Sequence, residues 1–284
     1  FHKTAAGVSP FIKTSSAGNE AFPETYIMTV RDKDGTVGKI GFIGINIPFN
    51  KASYVSYTDP LKTAEKLYIQ LKDSCDAVIA ITHQLMQDDI ILAQKIPGLA
   101  VILGGHEHDM RYKKVGDVII TKAHANARSA YIIELNLNKK NGKKTVKATL
   151  KMLDVAVALD SATNEVVKKW SAIAEKNYAS IGFDAKKVVL QKGEPLEARE
   201  SLIRTKPTNF SRIIINAIEE ASPDAKVAII NSGSIRLDDV LQPPVTQYDS
   251  LRSLPFGGGI VEVDMKGSLL KEILEKKKKN TGIG

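Results

Sequence analysis

The run from Ala77 to His108 constrains the fold of this chain more than any other. Ala77-Val78-Ile79-Ala80-Ile81-Thr82 is an apolar segment of strand length. Residues 88–95 carry a helical period, and residues 99–103 are apolar again. Strand, helix and strand in that order predict two parallel strands joined by a right-handed crossover. Both apolar runs end on histidine, one on His83 and the other on Gly104-Gly105-His106-Glu107-His108. In open α/β sheets ligands bind outside the carboxyl ends of the strands, and paired glycines let the backbone turn and approach closely there. A single histidine after a strand is by default a half-exposed loop residue. Three of the chain's five histidines at the ends of strands that can be neighbours reverse that default. Neutral imidazole is the commonest transition-metal ligand, so His83, His106 and His108 are candidate metal ligands.

Around this unit the chain reads as α/β throughout. The first thirty residues are polar, broken by Gly18-Asn19 and Pro23. Tyr26–Val30 and Lys39–Ile45 predict a hairpin around Asp32-Lys33-Asp34-Gly35. Asp59-Pro60 opens a helix as N-cap and first residue, with Leu61, Ala64, Leu67, Tyr68 and Leu71 in helical period. Val118–Thr121, Ala130–Leu137 and Thr145–Val157 are expected strands, antiparallel or at a sheet edge, the last two about an Asn141-Gly142 turn. Ser161–Ala179 is one long helix with Val166, Val167, Trp170, Ile173 and Ala174 on one side, and the lone tryptophan is expected in a core. A second α/β pattern follows Gly182: strands at 186–191, 227–230 and 260–263, and helices from Thr208 and over 268–276. The expected boundaries are 1–160 for a first domain, 161–182 for a linking helix and 183–284 for a second domain.

The wording of the central segment is also informative. Ile81-Thr82-His83-Gln84-Leu85, Asp88-Asp89, Ala93, Pro97-Gly98 and Val101-Ile102-Leu103-Gly104-Gly105-His106-Glu107-His108 resemble the binuclear metallophosphatases of the 5'-nucleotidase family. Further on, Asn231-Ser232-Gly233-Ser234-Ile235-Arg236 is similar to that family's N-x-G-G-I-R, with serine for the second glycine. Arg204-Thr205-Lys206-Pro207-Thr208-Asn209-Phe210-Ser211 is similar to R-x-R-x-T-N-L-G, again with serine for glycine. Leu254-Pro255-Phe256-Gly257 resembles L-P-F-G.

The resemblance implies a partial metallophosphatase α/β sandwich followed by a second α/β domain, the family's C-terminal domain, joined by a long helix. It implies hydrolysis of nucleotide phosphomonoesters with two divalent ions, zinc, manganese, magnesium or calcium. Such ions clamp phosphoryl oxygens and lower the pKa of the attacking water. His83 and His106 would hold one ion and His108 the other, while Glu107 is not a ligand. Arg204, Asn231, Gly233 and Arg236 would bind the nucleotide, and Phe256 would stack on its base. The chemistry suits these types: guanidinium forks match polar oxygens and an aromatic face suits any base. The alternatives are a 2',3'-cyclic-nucleotide 2'-phosphodiesterase with 3'-nucleotidase activity, and a non-catalytic nucleotide-binding module. The family's D-x-H, G-N-D and G-N-H segments, which supply the remaining ligands and the catalytic histidine, do not occur in this sequence. The expectation is therefore an internal portion of a longer protein, inactive alone, secreted or periplasmic by resemblance and with no signal-peptide pattern of its own.

Composition narrows the partners. No run of eighteen apolar residues exists, so no transmembrane helix is expected. Cys75 is the one cysteine, which excludes an internal disulfide and a thiolate cluster and leaves a small packed side chain. The net charge of +8 favours anionic ligands. Nucleic acid is not expected, since aromatic–basic interleaving is absent and much of the excess lies in Lys139–Lys144 and Lys276–Lys279.

Overall fold

The computed structural model describes residues 24–48 and 57–279, and the expected breakers at Gly18-Asn19 and Pro23 lie outside them. The chain divides into two compact units, Phe1–Ala158 and Leu159–Gly284.

The first unit is built on a mixed sheet. Its elements are β1 (Thr25–Arg31), β2 (Val37–Asn46), α1 (Pro60–Leu71), β3 (Ala77–His83), α2 (Met86–Lys95), β4 (Val101–Gly104), β5 (Arg111–Val115), β6 (Val118–Lys122), β7 (Ser129–Asn138) and β8 (Lys143–Met152). Six strands run in the order β1-β2-β3-β4-β6-β5. The four central strands are parallel and the two outer strands antiparallel to their neighbours. One face packs Ile43, Ile45, Val78, Ala80, Ile102, Val118 and Ile120 against the buried stripes of α1 and α2. The other packs Ile40, Ala77, Ile79, Val101 and Ile119 against Ile133, Leu135, Leu137, Val146 and Ala148 of the β7–β8 hairpin. Both faces are thus covered, which is why the central strands read as continuous apolar runs.

Local chemistry explains the element ends. Asp59 accepts from Lys62 N at 2.9 Å and Pro60 opens α1, so the helix starts where its N-cap dictates. Ala64, Leu67 and Leu71 form its buried face, each leucine contributing about 1.5–3 kcal/mol by burial. Cys75 is half-buried against this core. β6 is antiparallel to one neighbour, β5, but it is not at the edge expected as the alternative: it also pairs in parallel with β4 and is buried throughout. The edge is β5, a basic strand that the apolar pattern does not reveal. It turns back through Gly116, whose φ of 58° suits a residue without Cβ. β8 stops at Met152, short of the expected Val157, because its partner ladder on β7 begins at Ser129.

The second unit contains α3 (Ser161–Ser180), β9 (Val188–Leu190), β10 (Leu196–Glu197), α4 (Glu200–Ile203), α5 (Asn209–Ala221), β11 (Val240–Leu241), β12 (Val245–Thr246), α6 (Gln247–Ser253) and α7 (Gly267–Lys279). Its core is Leu196, Ala198, Ile203, Phe210, Ile214, Ile235, Leu237, Leu241 and Val245. Thr208 caps α5 in a reciprocal box: Thr208 Oγ1 accepts from Ser211 N, and Ser211 Oγ accepts from Thr208 N at 2.8 Å. The serine that departs from the family's glycine is therefore the second half of a helix cap.

Three expectations are corrected here. Trp170 is not core: it is 61% exposed, no residue of α3 is buried, and the Lys169 ammonium lies 5.7 Å from its ring centroid. Residues 227–230 and 260–263 form no ladder among the described residues. A strand exists only through a paired neighbour, and Val227, Ile229, Ile260, Val261 and Val263 are instead exposed. The strand expected over 186–191 shortens to β9, limited by the two-residue β12 that pairs with it.

Candidate functional site

In the first unit β3 and β4 run in parallel register, Thr82 opposite Gly104, so both carboxyl ends open on the same side. Gly105 N donates to Thr82 O at 2.9 Å, which extends the pairing past the strand end. This sets His83 and His106 side by side, ring centroids 5.3 Å apart and edge to face. A Cβ on Gly105 would stand 3.3 Å from His83 Nδ1, so the second glycine gives the ring its room. His106 and His108 have φ of 94° and 64°, a region side chains other than glycine rarely adopt. His108 is exposed, and its carbonyl accepts from Ala125 N at 2.8 Å. Burial lowers the His83 pKa below the ordinary imidazole value, and the imidazoles of His106 and His108 lower it further. A neutral imidazole is the form that offers a lone pair to a cation. The donor set and the convergence of His83 with His106 fit a metal ion.

Beneath the two-histidine loop lies a polar cluster that the sequence pattern did not single out. Lys122, at the end of β6, is 1% exposed. Its ammonium lies 2.9 Å from Asp89 Oδ2 and 2.6 Å from Glu107 Oε2, and donates to Gln84 O at 2.6 Å. Gln84 Nε2 donates to the other Asp89 oxygen at 3.0 Å. Burial pushes the Asp89 carboxyl up, against the hydrogen bonds from Lys122, Thr82 and Gln84. Glu107 has a second task. Leu85 precedes α2 without a side-chain cap, and Glu107 Oε1 accepts from Met86 N in its place. A carboxylate at a helix N-terminus satisfies an orphan donor and meets the positive end of the dipole. The one sequence signal for Lys122 was its position at the end of the otherwise uncharged segment Val118-Ile119-Ile120-Thr121.

In the second unit Asn231 precedes a single 3-10 turn, Ser232–Ser234, closed by Ser234 N donating to Asn231 O at 2.9 Å. Ser234 does not have positive φ, so the serine in place of the family's glycine sits there without strain. Gly233 lies close to the Asn231 amide: a Cβ there would meet Asn231 Nδ2 at 3.2 Å. Arg236 N donates to Ser253 O at 2.8 Å, and the Arg236 guanidinium lies 6.0 Å from the Phe256 ring centroid. Phe256 is 66% exposed, so it is not a core residue. Arg204 ends α4 and is ion-paired with Glu200. The first turn of α4 is tied to the Arg236 segment by Glu200 N donating to Asp238 Oδ1 at 2.8 Å. Arg236 and Phe256 are therefore together, Asn231 and Gly233 share one turn, and Arg204 stands at the far end of a short helix fastened to it.

The mixed sheet with paired histidines at its strand ends and the following unit with its exposed arginine–phenylalanine pair define a mixed α/β protein of two compact units. The profile of the 5'-nucleotidase C-terminal domain matches residues 188–283. Among curated relatives, the trifunctional nucleotide phosphoesterase protein YfkN of Bacillus subtilis is 24% identical over 96% of this chain and 18% of its own length. The 5'-nucleotidase of Bos taurus is 24% identical over 88% of this chain and 48% of its own. Among solved structures, the 5'-nucleotidase precursor of Thermus thermophilus superposes with a TM-score of 0.62 at 19% identity, over 81% of this chain and 49% of that one. Residues 188–283 thus match the 5'-nucleotidase C-terminal domain, the chain as a whole is similar to 5'-nucleotidases and related nucleotide phosphoesterases, and it spans about half the length, or less, of these relatives.

Proposed function

We propose that this chain is part of a parent protein that hydrolyses nucleotide phosphomonoesters as a metal-dependent 5'-nucleotidase. The observation that carries this reading is the edge-to-face approach of His83 and His106 at two adjacent parallel strand ends. Divalent ions held there supply charge stabilisation at the phosphoryl oxygens and acidify the attacking water. His83 and His106 offer their ring nitrogens to one ion, and His108 to the other. Phe256 presents an open face for a base, and Arg236 beside it presents donors for the sugar or phosphate oxygens. A second reading is phosphodiester hydrolysis of cyclic nucleotides; the similarity to a nucleotide phosphoesterase, over 18% of that protein's length, supports phosphoester hydrolysis of either kind. A panel of AMP, 3'-AMP and 2',3'-cyclic AMP separates the two. A secreted or periplasmic location is proposed on the family resemblance, and cell fractionation tests it. Among the described residues no helix is long and apolar enough to cross a membrane.

The test is calorimetric. Zn²⁺ or Mn²⁺ binds the chain, His83→Ala abolishes binding, and Phe256→Ala weakens adenosine by about 1–3 kcal/mol. Metal binding indifferent to His83→Ala defeats the metal assignment, and unchanged adenosine affinity removes Phe256. Residues 1–284 alone should release no phosphate from AMP at an enzymatic rate. The ligands of D-x-H and G-N-H are not among them, and two-ion chemistry needs both ions held about 3.5–4 Å apart.

A further inference from the structure

We infer that Glu107, held by Lys122, is a positioning residue that sets His106 and His108 by clamping the loop between them to the sheet and to α2. Three observations carry the assignment. Glu107 lies between the two histidines, so its side chain fixes the middle of a loop whose flanking residues hold positive φ. Its two oxygens face different elements: one meets Lys122 at 2.6 Å, at the end of β6, and the other accepts from the first backbone N–H of α2. Both ends of the clamp are out of solvent, the Glu107 side chain being 8% and that of Lys122 1% exposed, so water does not compete for these bonds. Asp89 and the Gln84 carbonyl complete the lysine's partners and hold the ammonium in place.

The geometry also explains why a buried lysine is kept here. An ion pair in an interior rarely outperforms apolar packing in stability, and its best-attested use is to specify one arrangement. The arrangement specified here is a loop conformation that histidine does not prefer.

The inference rests on the reading of the histidines as metal ligands, and its test separates the two. Glu107 is the residue to vary, because Lys122→Met would leave two buried carboxylates without their cation and the fold could be lost. In the full chain without metal, Glu107→Ala should speed amide exchange at Met86 and at Gly105 by about tenfold or more, as for one lost charged hydrogen bond, with core amides such as Val101 unchanged. Glu107→Gln keeps one acceptor oxygen but turns an amide N–H₂ toward the other donor, so its exchange should fall between the parent and Glu107→Ala. Titration with Co²⁺, followed by its visible absorption, should show affinity weakened about 10–100-fold in Glu107→Ala and by less in Glu107→Gln. Unchanged loop exchange in Glu107→Ala overturns the clamp. Faster exchange with unaltered Co²⁺ affinity overturns the positioning role. If the parent chain binds no Co²⁺ through His83 while the exchange response is present, the clamp stands and the metal reading beneath it falls.

Discussion

Gly104→Ala adds one methyl group at the most crowded point behind the candidate metal loop. The new Cβ would stand 2.8 Å from Lys122 Cε, 3.0 Å from Lys122 Cγ and 3.0 Å from Asp89 Oδ2. A lysine usually swings aside, but this one is 1% exposed and its ammonium is engaged by Asp89, Glu107 and the Gln84 carbonyl. Two responses are open. The backbone can shift, at the overpacking cost of about 1–3 kcal/mol, or the ammonium can move and forfeit charged hydrogen bonds worth about 1.5–3 kcal/mol each. The cheaper response sets the outcome, a loss of about 1–3 kcal/mol. The two units need not unfold together, so the assay is urea-dependent hydrogen exchange at sheet amides such as Val101 and Ile120. The same substitution in an Asp89→Ala/Glu107→Gln/Lys122→Ala background, where the obstructing atoms are gone and no buried carboxylate is left without its cation, should cost less than about 1 kcal/mol. A loss below about 0.5 kcal/mol in the parent, or equal losses in both backgrounds, refutes the argument that Lys122 is pinned.

Two further outcomes are expected. The Asp76 carboxyl is held below its ordinary value by the hydrogen bond from Lys139 Nζ at 2.6 Å and then by that from Lys39 N at 2.8 Å. A lowered folded value gives stability that is complete above the unfolded pKa and is lost as pH falls through the folded one. Acid unfolding of the first unit should therefore be shallower below pH ~4 in Asp76→Asn. Thr208→Ala removes the side-chain half of the α5 cap and should destabilise the second unit by about 1 kcal/mol in urea titrations, with an unchanged slope.

What the sequence disclosed follows from how local each signal is. The β3–α2–β4 unit, the β7–β8 hairpin and the starts of α1, α3 and α5 were legible because periods and caps are written within a few residues: Asp59, Asp160 and Thr208 each accept from a backbone N–H three residues on. β10, β11 and β12 were not legible, since two-residue pairings carry no period and exist only because a distant partner is present. Trp170 misled because helical spacing shows which residues share a face but not whether anything covers it. The histidines stood out by type and place. The cluster beneath them did not, because Lys122 meets Asp89 and Glu107 across 33 and 15 residues of chain and through the sheet itself.

The positive φ values of His106 and His108 have a consequence for how such a loop changes over generations. Each places a side chain where the backbone favours glycine, at a standing cost of about 1–3 kcal/mol. Substitution to glycine at either position would relax the loop while removing an imidazole, so mutation alone would drive these positions away from histidine. The residue pair is in that sense perishable: it persists only while something the imidazoles do is worth more to the organism than the stability they withhold. Chains that share this sheet but have abandoned its chemistry should betray the fact first at 106 and 108, before any change in the core that supports them.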